Sequence, residues 1–363
     1  MRSLERIEVQ GFKSIQEMDL LLRNLNIMIG ANGAGKTNFI SVFELLNHLV
    51  EGNLQLYIGQ SGGADRLLHY GRKATSEIVI RLHFGANGYE ARLAPSAGDT
   101  LVFAHESCWF HDSDKYPQPF NVYLGSGHKE TLLHDAAVQS EVADYVLKDL
   151  RSWKVYHFHD TSDSAKIKAT CDIEDNAALR PDASNLAAFL YWLREVQREY
   201  YGRIAKTIRL VAPFFNDFAL QPSRLNRKKI QLEWSERDSD MYFDAHTLSD
   251  GTLRFICLAT LLLQPTLPAT VLIDEPELGL HPYAITLLAS MLKSVAAQTQ
   301  VIVSTQSASL VDQFSPRDII VVDREGRQSK FNRLNTRRLK QWLQEYSLGE
   351  LWEKNIIGGR PSR

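Results

Sequence analysis

The stretch Gly30-Ala31-Asn32-Gly33-Ala34-Gly35-Lys36-Thr37 decides how the rest of the chain is read. Two glycines bracket four residues and are followed by Lys and Thr, the phosphate-loop pattern. The apolar run Leu25-Asn26-Ile27-Met28-Ile29 ends at the first glycine, and from Asn38 to Leu46 apolar residues recur at helical spacing,. Strand, loop, helix is the order in which the pattern acquires a physical function. Glycines let the backbone approach phosphate oxygens, while the N–H groups of Asn32, Gly33, Ala34, Gly35, Lys36, Thr37 and Asn38 and the helix N-terminus face the anion. Lys36 then reaches the β- and γ-phosphates, and Thr37 is a candidate Mg²⁺ ligand. The rival reading is a glycine-rich turn that happens to precede a helix.

Composition bounds the partners. At 363 residues the length suits two domains or one large discontinuous one,. A formal net charge of −2 provides no global field for nucleic acid, so any DNA contact must rest on a local basic patch,. Cys108, Cys171 and Cys257 are scattered, which argues against a disulfide framework or a cysteine zinc site and suits a reducing cytoplasm,. The first residues lack the apolar core of a signal peptide, and no stretch has the length of uncharged apolar sequence that a spanning helix needs,. The expectation is a cytoplasmic chain without a membrane partner.

A second organised block runs from His246 to about Val322. Thr270-Val271-Leu272-Ile273-Asp274-Glu275-Pro276 is an apolar strand that delivers two adjacent carboxylates at its end. In phosphate-loop enzymes the first carboxylate holds Mg²⁺ and a second takes a proton from the attacking water, so Asp274 is the metal candidate and Glu275 the general base. Leu248-Ser249-Asp250-Gly251-Thr252 opens an apolar helical run from Leu253 to Leu263. Ser249 is in the first instance an N-cap, although a helix N-terminus with a small hydroxyl is also a good γ-phosphate clamp. Val301-Ile302-Val303-Ser304-Thr305-Gln306-Ser307 is a buried-type strand with a polar end, and in a parallel nucleotide-binding sheet Thr305 or Gln306 would sense the γ-phosphate or position water,. Ile319 to Asp323 reads as one further strand, unplaced by sequence order alone.

Together these motifs resemble the ATP-binding-cassette ATPase heads of the SMC and RecF type, and more closely the compact bacterial ATPases related to RecF and to the ATPase half of OLD nucleases. The matching pieces are Gly11-Phe12-Lys13-Ser14-Ile15, Gly30 to Thr37, the signature Leu248-Ser249-Asp250-Gly251, Asp274 to Pro282 as Walker B plus D-loop, and Ser304 to Ser307 as switch. The resemblance implies an α/β phosphate-loop head with a mixed sheet, an antiparallel lobe and a mainly helical insertion. It also implies ATP and Mg²⁺ as ligands, and a homodimer that sandwiches ATP. In that dimer Ser249 and Gly251 of one subunit touch the γ-phosphate held by Lys36 of the other, with Gly279, Leu280 and His281 at the seam. Departures from the pattern are Gln306 in place of a switch His, which implies slow turnover, and Asp250 in place of a signature Gly. No Gln-containing loop is evident, although Leu67-Leu68-His69-Tyr70-Gly71 lies at about the right place.

The expected organisation is an N-terminal ATPase lobe over 1–94, an insertion and arm region over 95–245, a C-terminal ATPase lobe over 246–330 and a tail over 331–363. Tyr89 to Leu93 and Ile78 to Phe84 form a hairpin turning at Ala86-Asn87-Gly88, whereas from Pro95 to Asp182 only one helix, around Ser140 to Leu150, stands out. One long helix is expected from Leu186 to Ile204, capped within Asp182 to Asn185. The basic cluster Ser223 to Lys229 reads as a solvated hairpin loop in preference to a phosphate contact. His157 and His159 share one face of a possible strand without an evident third metal ligand, so a structural role is favoured. The tail from Tyr346 through Pro361 either covers the ATPase core or docks on a partner. The functional expectation is an ATPase whose ATP-driven dimerisation serves DNA transactions, in repair or anti-phage defence. The alternative is a nucleotide-gated scaffold that hydrolyses little and holds an effector such as a nuclease.

Overall fold

In the computed structural model, which describes residues 3–112 and 114–360, two six-stranded sheets account for most of the strands. Met1, Arg2 and the Pro361 end of the tail stretch lie outside the described residues. By contacts the chain divides into two units. One comprises 1–155, 268–272 and 299–363; the other comprises 156–267 and 273–298.

In the first unit, an antiparallel sheet has the order Ile15–Leu21, Arg6–Phe12, Ile78–Phe84, Asn87–Ser96, Thr100–Phe110, Phe120–Gly125. Alternation in Arg6–Phe12 buries Ile7 and Val9 and turns Glu8 and Gln10 outward, the pattern of a sheet with one face on a core,. The expected hairpin is present, with its tight turn at Gly85-Ala86, since Asn87 and Gly88 already pair with Phe84 and His83. Two strands, Thr100–Phe110 and Phe120–Gly125, occupy the region where sequence signals are weak; a bulge after Arg92 and another at Glu106 break their alternation and hide the period-two signal,. Inside this lobe the carboxylate of Glu106 is fully buried. It accepts from the Tyr89 hydroxyl (2.6 Å), the Leu132 N–H (3.0 Å) and the Thr131 hydroxyl, and meets His128 Nε2 at 2.9 Å.

The other sheet has the order Gln328–Arg333, Ile319–Glu325, Leu25–Ile29, Gln300–Thr305, Thr270–Asp274, Trp153–Tyr156. Leu25–Ile29 is buried at every position and lies parallel to both Gln300–Thr305 and Ile319–Glu325, as befits a central strand,. This places Ile319 to Asp323, which sequence order leaves open. The following helix, Lys36–Val50, packs Phe39, Val42, Phe43, Leu46 and Leu49 in one core with Phe12, Phe84 and Trp153. The tail covers this unit's core. Leu348, Leu351 and Trp352 are buried, the Gly349 N–H donates to Asp312 and the Gly359 N–H to Asp323 (2.6 Å).

The second unit contains helices Leu186–Val196, Arg198–Val211, Asp250–Leu263 and Pro282–Val295 beside small sheets. The single helix expected over 186–204 is two, separated at Gln197, where φ −123° and ψ 53° leave the helical region. No Gly or Pro marks the break, so the local pattern continues through it; Asn185 occupies the cap position without a side-chain cap bond.

Candidate functional site

The predicted site residues fall into two groups, one in each unit. In the first unit, the chain leaves the Leu25–Ile29 strand into a loop where Gly33 (φ +77°) and Gly35 (φ +119°) take left-handed conformations. Gly35 is required on two grounds. Its backbone is one that L side chains rarely adopt, and a Cβ there would lie 2.0 Å from Ser329 Oγ and 3.0 Å from Ser14 Oγ,. A directed hydrogen-bond chain explains the crowding. The Asn38 amide donates to Ser14 Oγ (2.6 Å), the Ser14 and Ser329 hydroxyls meet at 2.7 Å, and Ser329 Oγ donates to the Ala34 carbonyl (2.5 Å). Because the Ser329 hydrogen goes to Ala34, Ser14 is the donor between the two serines. The chain thus ties the turn after the first strand, the hairpin strand Gln328–Arg333 and the start of the phosphate-loop helix to the loop itself.

Lys36 is buried, and its Nζ donates to the carbonyls of Gly30 (2.7 Å) and Ala31 (3.2 Å), which aims the ammonium along the inner rim of the loop. Thr37 is exposed at the helix start. Arg324 donates to the Gly33 carbonyl (3.3 Å), and a cavity of about 400 Å³ opens between Ala31 to Ala34 and Asp323, Arg324 and Arg360. A larger groove of about 820 Å³ runs along Phe120–Gly125 and the helices after it, without phosphate-binding chemistry. Thr305 pairs in register with Ile29, so Gln306 leaves its strand beside the one that feeds the phosphate loop, and it is exposed there. The Leu67 to Gly71 stretch secures the Gly11 to Ser14 turn. The Lys13 N–H donates to Leu67, the His69 N–H to Gly11, and His69 Nδ1 lies 2.7 Å from the Lys13 carbonyl. Burial holds the Lys13 ammonium below its ordinary range, only partly offset by Glu44.

In the second unit, Ser249 caps the helix Asp250–Leu263, its Oγ accepting from the Thr252 N–H (3.2 Å). Asp250 is exposed in the first turn, where a carboxylate complements the positive end of the helix,. Gly251 packs backbone to backbone on the D-loop of the same chain, since a Cβ on it would lie 2.2 Å from the Gly279 carbonyl oxygen. Asp274 ends its strand with the side chain buried, and the adjacent Glu275 has φ +41°, a left-handed backbone that a non-glycine residue adopts only under constraint,. Sequence reasoning misses Arg254. It is 4% exposed and donates from Nε to the Phe158 carbonyl (2.9 Å), from Nη2 to the His159 carbonyl (3.1 Å) and from Nη1 to the Leu278 carbonyl. Burial lowers its pKa from the ordinary arginine value, partly countered by Asp250. His157 and His159 lie in a loop, and His159 Nε2 is 2.8 Å from the Asp274 carbonyl.

In the first unit, backbone N–H groups, the Lys36 ammonium and the Thr37 hydroxyl stand together at one helix start, the chemistry that suits an anion,. A family model described as "AAA domain, putative AbiEii toxin, Type IV TA system" matches residues 25–312, from the phosphate-loop strand to beyond the switch. The chain belongs to this family. Among curated proteins, this AAA-domain chain is similar to a putative ABC transporter ATP-binding protein of Methanosarcina acetivorans, 32% identical over 124 residues, which is 31% of this chain and 44% of that protein. It is also similar to the Old nuclease of Escherichia phage P2, 24% identical over 349 residues, 85% of this chain and 57% of that protein. The AAA-domain chain therefore spans about half the length of these curated relatives, 44% and 57%.

The fold is that of an SMC head. A structure of an Smc head bound to the C-winged helix domain of ScpA matches with a TM-score of 0.57 at 16% identity, covering 93% of this chain and 99% of that one. An Smc head with an extended coiled coil, bound to the C-terminal domain of ScpA derived from Pyrococcus furiosus, matches at 0.50 and 15%, covering 95% and 99%. The AAA-domain protein is thus an ABC-type phosphate-loop ATPase head of the SMC, RecF and OLD kind, as the sequence resemblance implies. Among the described residues, no helix is long and apolar enough to cross a membrane.

Proposed function

We propose that the protein binds ATP with Mg²⁺, hydrolyses it, and uses nucleotide-dependent homodimerisation to act on DNA or on a bound effector protein. The observation that carries this reading is the braced phosphate loop, in which Gly35 is packed under the Ser14–Ser329 hydroxyl pair while Lys36 lines the rim. Such a loop is preorganised for a polyphosphate, because its N–H groups are fixed before the ligand arrives. Lys36 takes the β/γ-phosphate charge, and the N–H groups from Asn32 to Asn38 cradle the oxygens. Thr37 and Asp274 offer the hydroxyl and carboxylate oxygens that suit Mg²⁺. When bound, such an ion would neutralise the charge that develops on the phosphate oxygens. Glu275 orients the attacking water and takes its proton, and Gln306 orients the γ-phosphate or the water by hydrogen bonding alone. Ser249 and Gly251 are assigned to the γ-phosphate of the partner protomer. Leu278 and Tyr283, about half exposed at 49% and 52%, supply apolar surface for the seam between protomers.

The test is Glu275→Gln in saturating ATP and Mg²⁺, followed by light scattering and phosphate release. The expected result is retained ATP binding, abolished release and accumulation of dimer; a variant that stays monomeric refutes the sandwich, and one that releases phosphate at the wild-type rate refutes the role of Glu275.

A second reading is favoured by Gln306. Without an imidazole to shuttle a proton, the protein would act mainly as a nucleotide-gated scaffold with slow hydrolysis. Similarity to a nuclease about one and a half times as long, of which this chain covers 57%, supports an effector of that class. A hydrolysis rate raised by DNA favours the enzyme reading over the scaffold.

A further inference from the structure

We infer that His159 is a positioning residue for the Asp274–Glu275 pair, and that Arg254 couples it to the signature helix. The inference rests on the ATPase reading for its kinetic consequence, but its geometry stands on its own. His159 Nε2 lies 2.8 Å from the carbonyl oxygen of Asp274. A carbonyl can only accept, so Nε2 carries the proton. That carbonyl belongs to the peptide group whose N–H is Glu275's, and the group is planar, so holding one end fixes the other. Glu275 then starts from a fixed plane and takes φ +41°, while its own carbonyl accepts from the Leu278 N–H at 3.2 Å to close the turn. A left-handed glutamate persists only where its surroundings over-determine it. The imidazole bond on one side and the turn on the other supply that determination.

The loop bearing His159 has no regular secondary structure to hold it. Arg254 does so instead. From the signature helix, its guanidinium donates to the carbonyls of Phe158 (2.9 Å) and His159 (3.1 Å), and also to that of Leu278 in the turn after Glu275. The planar fork of an arginine serves three acceptors at fixed mutual angles, which a lysine cannot reproduce. A displacement of the signature helix is therefore passed to both sides of Glu275 at once, through the His159 loop and through the D-loop turn. The helix that is assigned to the partner's γ-phosphate thereby sets the aim of the base in its own chain.

The experiment compares His159→Ala, His159→Gln and Arg254→Lys with the wild-type full-length protein. Glutamine keeps an N–H donor at nearly the same reach. Turnover, KM, affinity for a fluorescent ATP analogue, and amide hydrogen exchange across 274–280 are measured. The expected result for His159→Ala is a kcat reduced at least tenfold with KM and analogue affinity changed less than twofold, together with faster exchange in 274–280. His159→Gln restores most of both, and Arg254→Lys reproduces the alanine defect. Wild-type kcat in His159→Ala, or a glutamine variant no better than alanine with exchange unchanged, overturns the inference. If the wild type itself shows no turnover, or Glu275→Gln turns over as the wild type does, the ATPase reading fails separately. The exchange data then decide alone: unaltered protection of 274–280 in His159→Ala overturns the positioning role, and lost protection supports it. If the alanine variant does not fold, the glutamine and lysine variants decide by the same measurements: wild-type kcat and exchange in Arg254→Lys overturn the coupling, and the paired kcat and exchange defects support it.

Discussion

Replacing Gly251 by alanine perturbs the closest backbone approach in the second unit. The added Cβ would sit 2.2 Å from the Gly279 carbonyl oxygen and 3.1 Å from its carbon, whereas Cβ atoms essentially never come nearer than 3.0 Å to another heavy atom. The obstacle is backbone, so no side-chain rotation relieves it. The start of the signature helix and the D-loop turn must part by about 0.8 Å, and the Arg254 bond to Leu278, one residue before Gly279, is strained or broken in the process. Overpacking of this kind costs about 1–3 kcal/mol, and losing a hydrogen bond to a charged donor about 1.5–3 kcal/mol more. The sum, about 2.5–6 kcal/mol, lowers the melting temperature of this unit by roughly 5–24 °C at 2–4 °C per kcal/mol. Differential scanning calorimetry with hydrogen exchange resolved by unit is the appropriate assay, because a chain of two units need not unfold in one step. The phosphate loop lies in the other unit, so ATP-analogue affinity is expected within about twofold of wild type while turnover falls by about 100-fold, the equivalent of 2.7 kcal/mol. Gly202→Ala is the control: it too is a helical glycine of this unit, but nothing lies within 4 Å of the new Cβ. Wild-type melting and turnover in Gly251→Ala would refute the close-packing argument outright.

Ser329→Ala breaks the serine brace and leaves the Ala34 carbonyl without that donor; equilibrium titration is expected to show ATP-analogue affinity weakened about 5–10-fold, the effect of 1–1.4 kcal/mol at a buried hydrogen bond. Lys36→Ala abolishes detectable analogue binding, and unchanged affinity would exclude the loop as the phosphate site. Glu106→Ala removes the acceptor shared by Tyr89, Thr131 and Leu132, and urea unfolding is expected to show a loss of about 3–5 kcal/mol for a buried charge network stripped of its centre. Burial, and secondarily Glu106, push the Cys108 thiol up from 9.0 to about 12, so the folded state favours the neutral form. Its stabilising contribution is complete below pH 9 and declines as pH rises from 9 towards 12; Cys108→Ala is expected to flatten the fall in melting temperature over that window. At pH 8 a thiol reagent should label the half-buried Cys171 slowly and leave Cys108 and Cys257 intact until denaturant is added,.

The motifs are legible wherever chemistry and secondary structure are written in the same few residues. The phosphate loop needs its glycines at fixed spacing next to a strand, and the Ser249 cap sits immediately before its helix, so local patterns suffice for both. The break at Gln197 is not legible, because both half-helices are amphipathic and nothing in their composition stops the pattern; long-range packing interrupts it. The strands after Pro95 escape notice because bulges shift their alternation. Ser14 and Ser329 each look like ordinary polar residues until the fold juxtaposes them, and Gly35 is explained only in their company. Arg254 and His159 act on backbone carbonyls, which every residue carries, so their partners leave no signature in sequence. His159 does stand out in the sequence beside His157, with a structural role favoured over a metal pair, but the sequence does not name its partner, the peptide before Glu275.

The serine brace also has a consequence in time. Ser329 lies 295 residues beyond the Ala34 carbonyl to which it donates. At synthesis rates of about 5–20 residues per second, roughly 15–60 s separate the emergence of the glycine loop from that of the hydroxyl that packs it. A ribosome-bound chain therefore carries the complete phosphate-loop sequence long before it carries the braced loop.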